Sequence, residues 1–80
     1  MSKDPNYFVL AFYLFTPISD PHGEVAAHKE FFEGRKLTSR IYISEQGING
    51  QMSGIREDAE AYMKWMHANP LFQKILFKIH

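Results

Sequence analysis

The stretch from Ser39 to Gly54, Ser-Arg-Ile-Tyr-Ile-Ser-Glu-Gln-Gly-Ile-Asn-Gly-Gln-Met-Ser-Gly, constrains the fold more than any other part of the chain. From Arg40 to Ser44 side-chain character alternates, with Ile41 and Ile43 on one side and Arg40 and Tyr42 on the other. After Gly47 the alternation resumes, with Ile48, Gly50 and Met52 on one side and Asn49, Gln51 and Ser53 on the other. Successive strand side chains point to opposite faces, so each run has one apolar and one polar face. Glu45, Gln46 and Gly47 lie between the runs, and Gly47 can take a positive φ that other residues resist. The pattern predicts a β-hairpin with one dry side, which the rest of the chain has to cover.

That cover is legible on both flanks of the hairpin. Residues 1–6 read as a flexible lead-in. Tyr7 to Phe15 is almost continuously apolar and short, which predicts a central strand with contacts on both faces. The run leaves open which of its sides points outward. Asp20-Pro21 starts a helix: the carboxylate can accept from a free backbone amide, and proline fits the first helical position. Val25, His28 and Phe32 share one face of that helix, Ala26 and Phe31 flank it, and Gly34 stops it. Ile55, Ala59, Tyr62, Met63 and Met66 form the apolar stripe of a second helix, ended by Asn69-Pro70. Leu71 and Phe72 are expected under the following turn. Ile75 to His80 alternates again, with Leu76, Lys78 and His80 on the side opposite Ile75, Phe77 and Ile79.

The order is β-α-β-β-α-β, the α+β ferredoxin-like, acylphosphatase-like arrangement over residues 1–80. It implies a four-stranded antiparallel sheet in the order 4-1-3-2 with both helices on one face. The other face is left bare and is expected to carry Arg40, Tyr42, Asn49, Gln51, Ser53 and one side of the first strand.

Eighty residues with 45% hydrophobic and 15% aromatic content suffice for one small core, so the chain is not a disordered segment. The formal net charge of zero gives no bulk attraction to nucleic acid or membrane. The basic residues are nevertheless clustered. Arg35, Lys36 and Arg40 form one group, and Lys64, Lys74 and Lys78 follow Glu60 with no further acid. Solvated surface is the plain reading of both clusters. With no cysteine, the sequence offers no disulfide, cysteine-based zinc site or thiol nucleophile, which is compatible with a cytoplasmic protein. Phe8 to Phe15 is too short to cross a bilayer, and no signal peptide is legible at the start.

Enzymatic constellations are sparse. The four histidines, His22, His28, His67 and His80, are scattered, and no metal or cofactor pattern is present. His28, on the apolar side of its helix, is expected to be partly buried and hydrogen-bonded rather than a ligand. Gln46 to Gly50 is not a phosphate loop, because no helix follows it at the required spacing. Asn49 to Gly54 looks similar to the Gly-x-x-Gly end of the third strand in acylphosphatases. That family binds phosphate with an arginine in the loop after the first strand. Here the loop Thr16 to Gly23 has no arginine and adds a carboxylate, Asp20. A comparison with the RNA-recognition motif places Tyr13 and Tyr42 as base-stacking candidates and Arg40 near phosphate. The third strand, however, carries Asn49, Gln51 and Ser53 where that motif has aromatic residues.

The run Arg40-Ile41-Tyr42-Ile43-Ser44-Glu45-Gln46-Gly47-Ile48-Asn49-Gly50-Gln51 is more specific. It resembles the N-terminal domain of the rhodanese-related tRNA uridine hydroxylases, in which a strand with arginine runs into a Glu-Gly-Ile-Asn-(Gly/Ala)-Gln turn and strand. Glu45, Gly47, Ile48, Asn49, Gly50 and Gln51 match, with Gln46 inserted as the variable residue. His28-Lys29, Phe31-Phe32, Asp58-Ala59-Glu60 and Tyr62 to Trp65 extend the likeness along almost the whole chain.

The resemblance implies an accessory N-terminal domain of an enzyme that hydroxylates the wobble uridine of certain tRNAs to 5-hydroxyuridine with dioxygen. It also implies a following rhodanese domain, in the same polypeptide, that carries the active-site cysteine. No catalytic residue transfers to this sequence, and the domain alone is expected to be inert. Its implied role is to hold tRNA or to dock the rhodanese domain through Arg35, Arg40, Tyr42, Glu45, Gly47, Asn49, Gly50 and Gln51. Within the turn, Glu45 and Asn49 are expected to hydrogen-bond, and Gly50 to admit a close backbone or nucleotide. A purely structural docking module and a small acylphosphatase-like hydrolase are the alternatives.

Overall fold

The computed structural model describes residues 7–80, and the lead-in expected over residues 1–6 lies outside the described residues. The elements are β1 (Tyr7–Phe15), α1 (Pro21–Phe32), β2 (Leu37–Ser44), β3 (Gly47–Ile55), α2 (Arg56–His67) and β4 (Leu76–Ile79). The strands form one antiparallel sheet in the order β2-β3-β1-β4, which is the expected 4-1-3-2 order read from the opposite edge.

Alternation along the strands decides which side of the sheet is dry. Leu10 and Phe12 of β1 and Ile48 and Met52 of β3 are buried beneath Ala59, Tyr62 and Met66 of α2. Ile18, Phe72 and Ile75 close the ends of this core, and Phe31 and Phe32 of α1 pack against it. The helix pair is joined through aromatic rings. Phe31 stacks on Trp65 at 4.6 Å between centroids, and Phe32 lies 5.4 Å from Tyr62. Each large side chain taken fully out of water here contributes about 1.5–3 kcal/mol.

The expected contacts on both faces of β1 are not present. β1 is central, between β3 and β4, but Tyr13 and Phe15 on its other side are exposed. Continuous apolarity marks a strand flanked on both edges, and it does not say what covers its second face.

Two further expectations shift by a residue's worth of geometry. Ile55 belongs to β3, paired with Tyr7, and is exposed rather than part of the buried stripe of α2. Ala26 of α1 is also exposed. It sits about 100° and 200° around the helix from Val25 and His28, so it turns away from the stripe they define.

The helix start is as expected: the Asp20 carboxylate accepts from the Gly23 amide at 3.0 Å, and Pro21 opens α1. The β2–β3 turn is held differently. Asn49 pairs with Tyr42, well back from the turn, and does not meet Glu45. Instead the carbonyls of Gln46 and Glu45 accept from the amides of Thr16 and Ile18, each at 3.1 Å, and Ser44 Oγ accepts from the Gln46 amide at 3.2 Å. The hairpin is thereby tied to the loop after β1. Gly47, with φ +150°, begins β3 where any side chain would run into the Leu14 carbonyl.

Candidate functional site on the open sheet face

Strand register turns the bare side of the sheet into rows. Arg40 of β2 pairs with Gln51 of β3, Gln51 with Ala11 of β1, and Ala11 with Lys78 of β4. One step along, Tyr42 pairs with Asn49, Asn49 with Tyr13, and Tyr13 with Leu76. Residues paired across a sheet share a face, so these two rows lie side by side. They line a concavity of about 870 Å³. Neighbouring strands are about 4.8 Å apart, which sets Tyr42 and Tyr13 roughly 10 Å apart with Asn49 between them.

The face has two ends of different character. At one end Tyr42, Tyr13, Phe15 and Leu76 are 65%, 69%, 82% and 84% exposed, and the Tyr13 and Phe15 rings meet edge to face at 6.0 Å. At the other end stand Arg40, Gln51 and Lys78, with the Thr38 and Ser53 hydroxyls sharing a 2.7 Å hydrogen bond beyond them.

Electrostatically the face is one-sided. Among the described residues, no carboxylate lies on it: Glu24 and Glu30 are on α1, Glu57, Asp58 and Glu60 on α2, and Asp20, Glu33 and Glu45 in loops and turns. The ion pairs among the described residues, Arg35–Asp58 at 3.0 Å and Arg56–Glu60 at 3.1 Å, both involve α2. Arg40 on one edge strand and Lys78 on the other take part in neither. A chain with no net charge thus presents a locally cationic surface.

Of the residues singled out in the sequence, Arg40, Tyr42, Asn49 and Gln51 come together here. Glu45 lies in the turn, and Gly47 begins β3. Gly50 serves close approach on the covered side, where an added Cβ would stand 2.7 Å from Ile41 Cα. The neighbour it admits is the β2 backbone. Arg35 does not join the face. It follows α1, pairs with Asp58, donates from Nε to the Phe31 carbonyl at 3.0 Å and lies 4.3 Å over the Phe31 ring.

Phe15, Leu76 and Lys78, which lie outside the motif, also stand on this face. Alternation in the last strand already set Leu76 and Lys78 outward. Nothing in the two-sided apolar run of β1 pointed to Phe15.

The buried polar group lies elsewhere. His28 is 4% exposed. Its Nδ1 donates to the Glu24 carbonyl at 2.8 Å, so its Nε2 is unprotonated and accepts from the Tyr62 hydroxyl at 2.9 Å. Burial pushes the His28 pKa down, against the opposing pull of the Glu24 carbonyl and charge, and burial pushes the Tyr62 phenol up. This is the hydrogen-bonded histidine that its helix position predicts, more fully buried than expected. Among the described residues no group of three or more His, Asp or Glu is placed to hold a metal ion, and no helix is long and apolar enough to cross a membrane.

Residues 7–80 match the family described as the UPF0176 acylphosphatase like domain. The chain belongs to this family. It is 72% identical over 80 residues to a tRNA uridine(34) hydroxylase of Protochlamydia amoebophila, covering 100% of this chain and 25% of that protein. It is 53% identical over 77 residues to the tRNA uridine(34) hydroxylase of Chlamydia trachomatis serovar D, covering 96% of this chain and 24% of the relative. A Chlamydia pneumoniae protein of the same name is 52% identical over 77 residues. The chain spans about a quarter of the length of these curated relatives. In this member of the UPF0176 domain family the loop after β1 has no arginine, and Asp20 already occupies the N-terminus of α1. An anionic substrate at that position would meet a carboxylate.

Proposed function

We propose that this domain is the N-terminal accessory domain of a tRNA uridine(34) hydroxylase, and that its open sheet face contacts the tRNA. The observation that carries the reading is the combination of cationic edges, an absence of carboxylates among the described residues of the face, and exposed aromatic rings. Such a surface attracts phosphate and offers rings to bases. The relatives named as tRNA uridine(34) hydroxylases support the substrate class. Hydroxylation of the wobble uridine belongs, in this reading, to a following rhodanese-type domain of the same polypeptide, and this domain supplies no reacting group.

The test is tRNA binding by the full-length protein. Arg40→Glu with Lys78→Glu is expected to weaken binding by tenfold or more, since each reversal replaces a phosphate partner with a repulsive charge (about 1.4 kcal/mol per tenfold). Unchanged affinity sinks the reading.

A second reading has its own observation. Phe15 and Leu76 have no polar atoms in their side chains and are among the most exposed large apolar residues. A large exposed apolar patch suits docking against the rest of the polypeptide. If the double reversal leaves tRNA binding intact while Phe15→Ser and Leu76→Ser lower the melting temperature of the full-length protein, docking is the function of this face.

A further inference from the structure

We propose that the face binds unpaired nucleotides, with one base stacked on Tyr42, another on Tyr13, and the Asn49 and Gln51 amides at the base edges. This rests on the tRNA-contact reading above and deepens it to a class of RNA structure. In the sequence Tyr13 and Tyr42 are the stacking candidates, while the third strand carries Asn49, Gln51 and Ser53. Strand register sets the two rings around that strand. β3 lies between β2 and β1, so Tyr42 and Tyr13 flank Asn49 on either side. The rings are thus present on the strands that border β3.

Three features favour single-stranded RNA over a protein partner. Both rings are more than half exposed although their neighbours Ile41, Ile43, Phe12 and Leu14 pack toward the core, so they are held by the sheet and face solvent. Among the described residues, the side chains of Asn49 and Gln51 make no hydrogen bond within the chain, which leaves their donors and acceptors for a ligand. An apolar protein surface over them would strand both amides, whereas a base edge satisfies them. The flanking cations Arg40 and Lys78 are spaced across the sheet from edge to edge, along the direction in which Tyr42 and Tyr13 follow one another. A strand laid across the sheet would therefore meet ring and cation together. In a duplex the base faces are already stacked on each other and unavailable to the rings.

The test uses the full-length protein, a fluorescein-labelled oligoadenylate, alone or annealed to oligouridylate, and a tRNA transcript. The single strand is expected to bind more tightly than the duplex. Tyr42→Leu and Tyr13→Leu are each expected to weaken it about tenfold, whereas Tyr42→Phe and Tyr13→Phe retain binding, since a planar ring and not bulk or a hydroxyl is what stacks. Both tyrosines are outside the core, so the variants fold. Equal binding of duplex and single strand overturns the proposal. So do leucine variants that bind like the parent: if Arg40→Glu still weakens tRNA binding, the tRNA contact stands and only stacking is lost. If instead none of these variants alters RNA binding and the leucine variants lower the melting temperature of the whole protein, the face is covered by protein and both readings fall.

Discussion

His28 and Tyr62 show how one polar contact is set inside an apolar core. The Glu24 carbonyl can only accept, so it places the proton on Nδ1 and leaves Nε2 for the Tyr62 hydroxyl. Protonating His28 turns Nε2 into a donor and leaves the Tyr62 proton without a partner in a dry site. With the folded pKa below the ordinary 6.5, the unfolded chain takes up the proton first as pH falls. Stability contributed by neutral His28 is thus fully present above about 6.5 and is lost as pH drops toward the lowered folded value, at up to about 1.4 kcal/mol per pH unit. Urea unfolding at a series of pH values reads this out. His28→Gln is expected to be less stable at neutral pH and to lose that part of the slope. An unchanged slope means that His28 binds its proton equally in the folded and unfolded states.

The β2–β3 hairpin was the most legible element, and its turn the least legible part of it. Alternation predicts both strands and their faces because it depends only on residue order. The turn is anchored by the β1–α1 loop, a contact between segments distant in sequence, so no local pattern reveals it. Gly47 is where the two meet. Its φ of +150° and its closeness to the Leu14 carbonyl both exclude a side chain. Gly47→Ala is expected to destabilise the fold by about 1–3 kcal/mol, measured as a lower urea midpoint. A variant as stable as the parent means that the β1 backbone gives way freely there. The second helix shows the opposite balance. Spacing alone places Ala59, Tyr62 and Met66 in the core, whereas Ile55 leaves the stripe because its strand pairing with Tyr7 outweighs its place in the helical repeat.

For the molecule as a whole, charge distribution matters more than net charge. Among the described residues, acids gather on the helices, the connecting loops and the hairpin turn, and the open face keeps Arg40 and Lys78. In the tRNA-contact reading, each of these cations that meets a phosphate adds to the salt dependence of binding. Removing one by Arg40→Gln is expected to reduce the slope of log K against log salt by about 0.7–0.9. Arg35→Gln is expected to leave that slope unchanged and to cost about 1 kcal/mol of stability, because Arg35 is committed to Asp58 and Phe31. A matching loss of slope in Arg35→Gln would place RNA on the helix side. Sequence proximity groups Arg35 with Arg40, but the chain turns between them, and the two guanidinium groups serve different parts of the molecule.

Residue order was enough for the element order, the wet and dry sides of the hairpin and the stripe of the second helix, because these follow from the periods of strand and helix. It was also enough for the family, through a motif carried on consecutive residues. It was silent on which side of Tyr7–Phe15 stays open, and so on whether Tyr13 shares a face with Tyr42, and on the fate of Arg35. Those depend on which strands become neighbours and which helix lies over them, and such contacts join residues far apart in the chain.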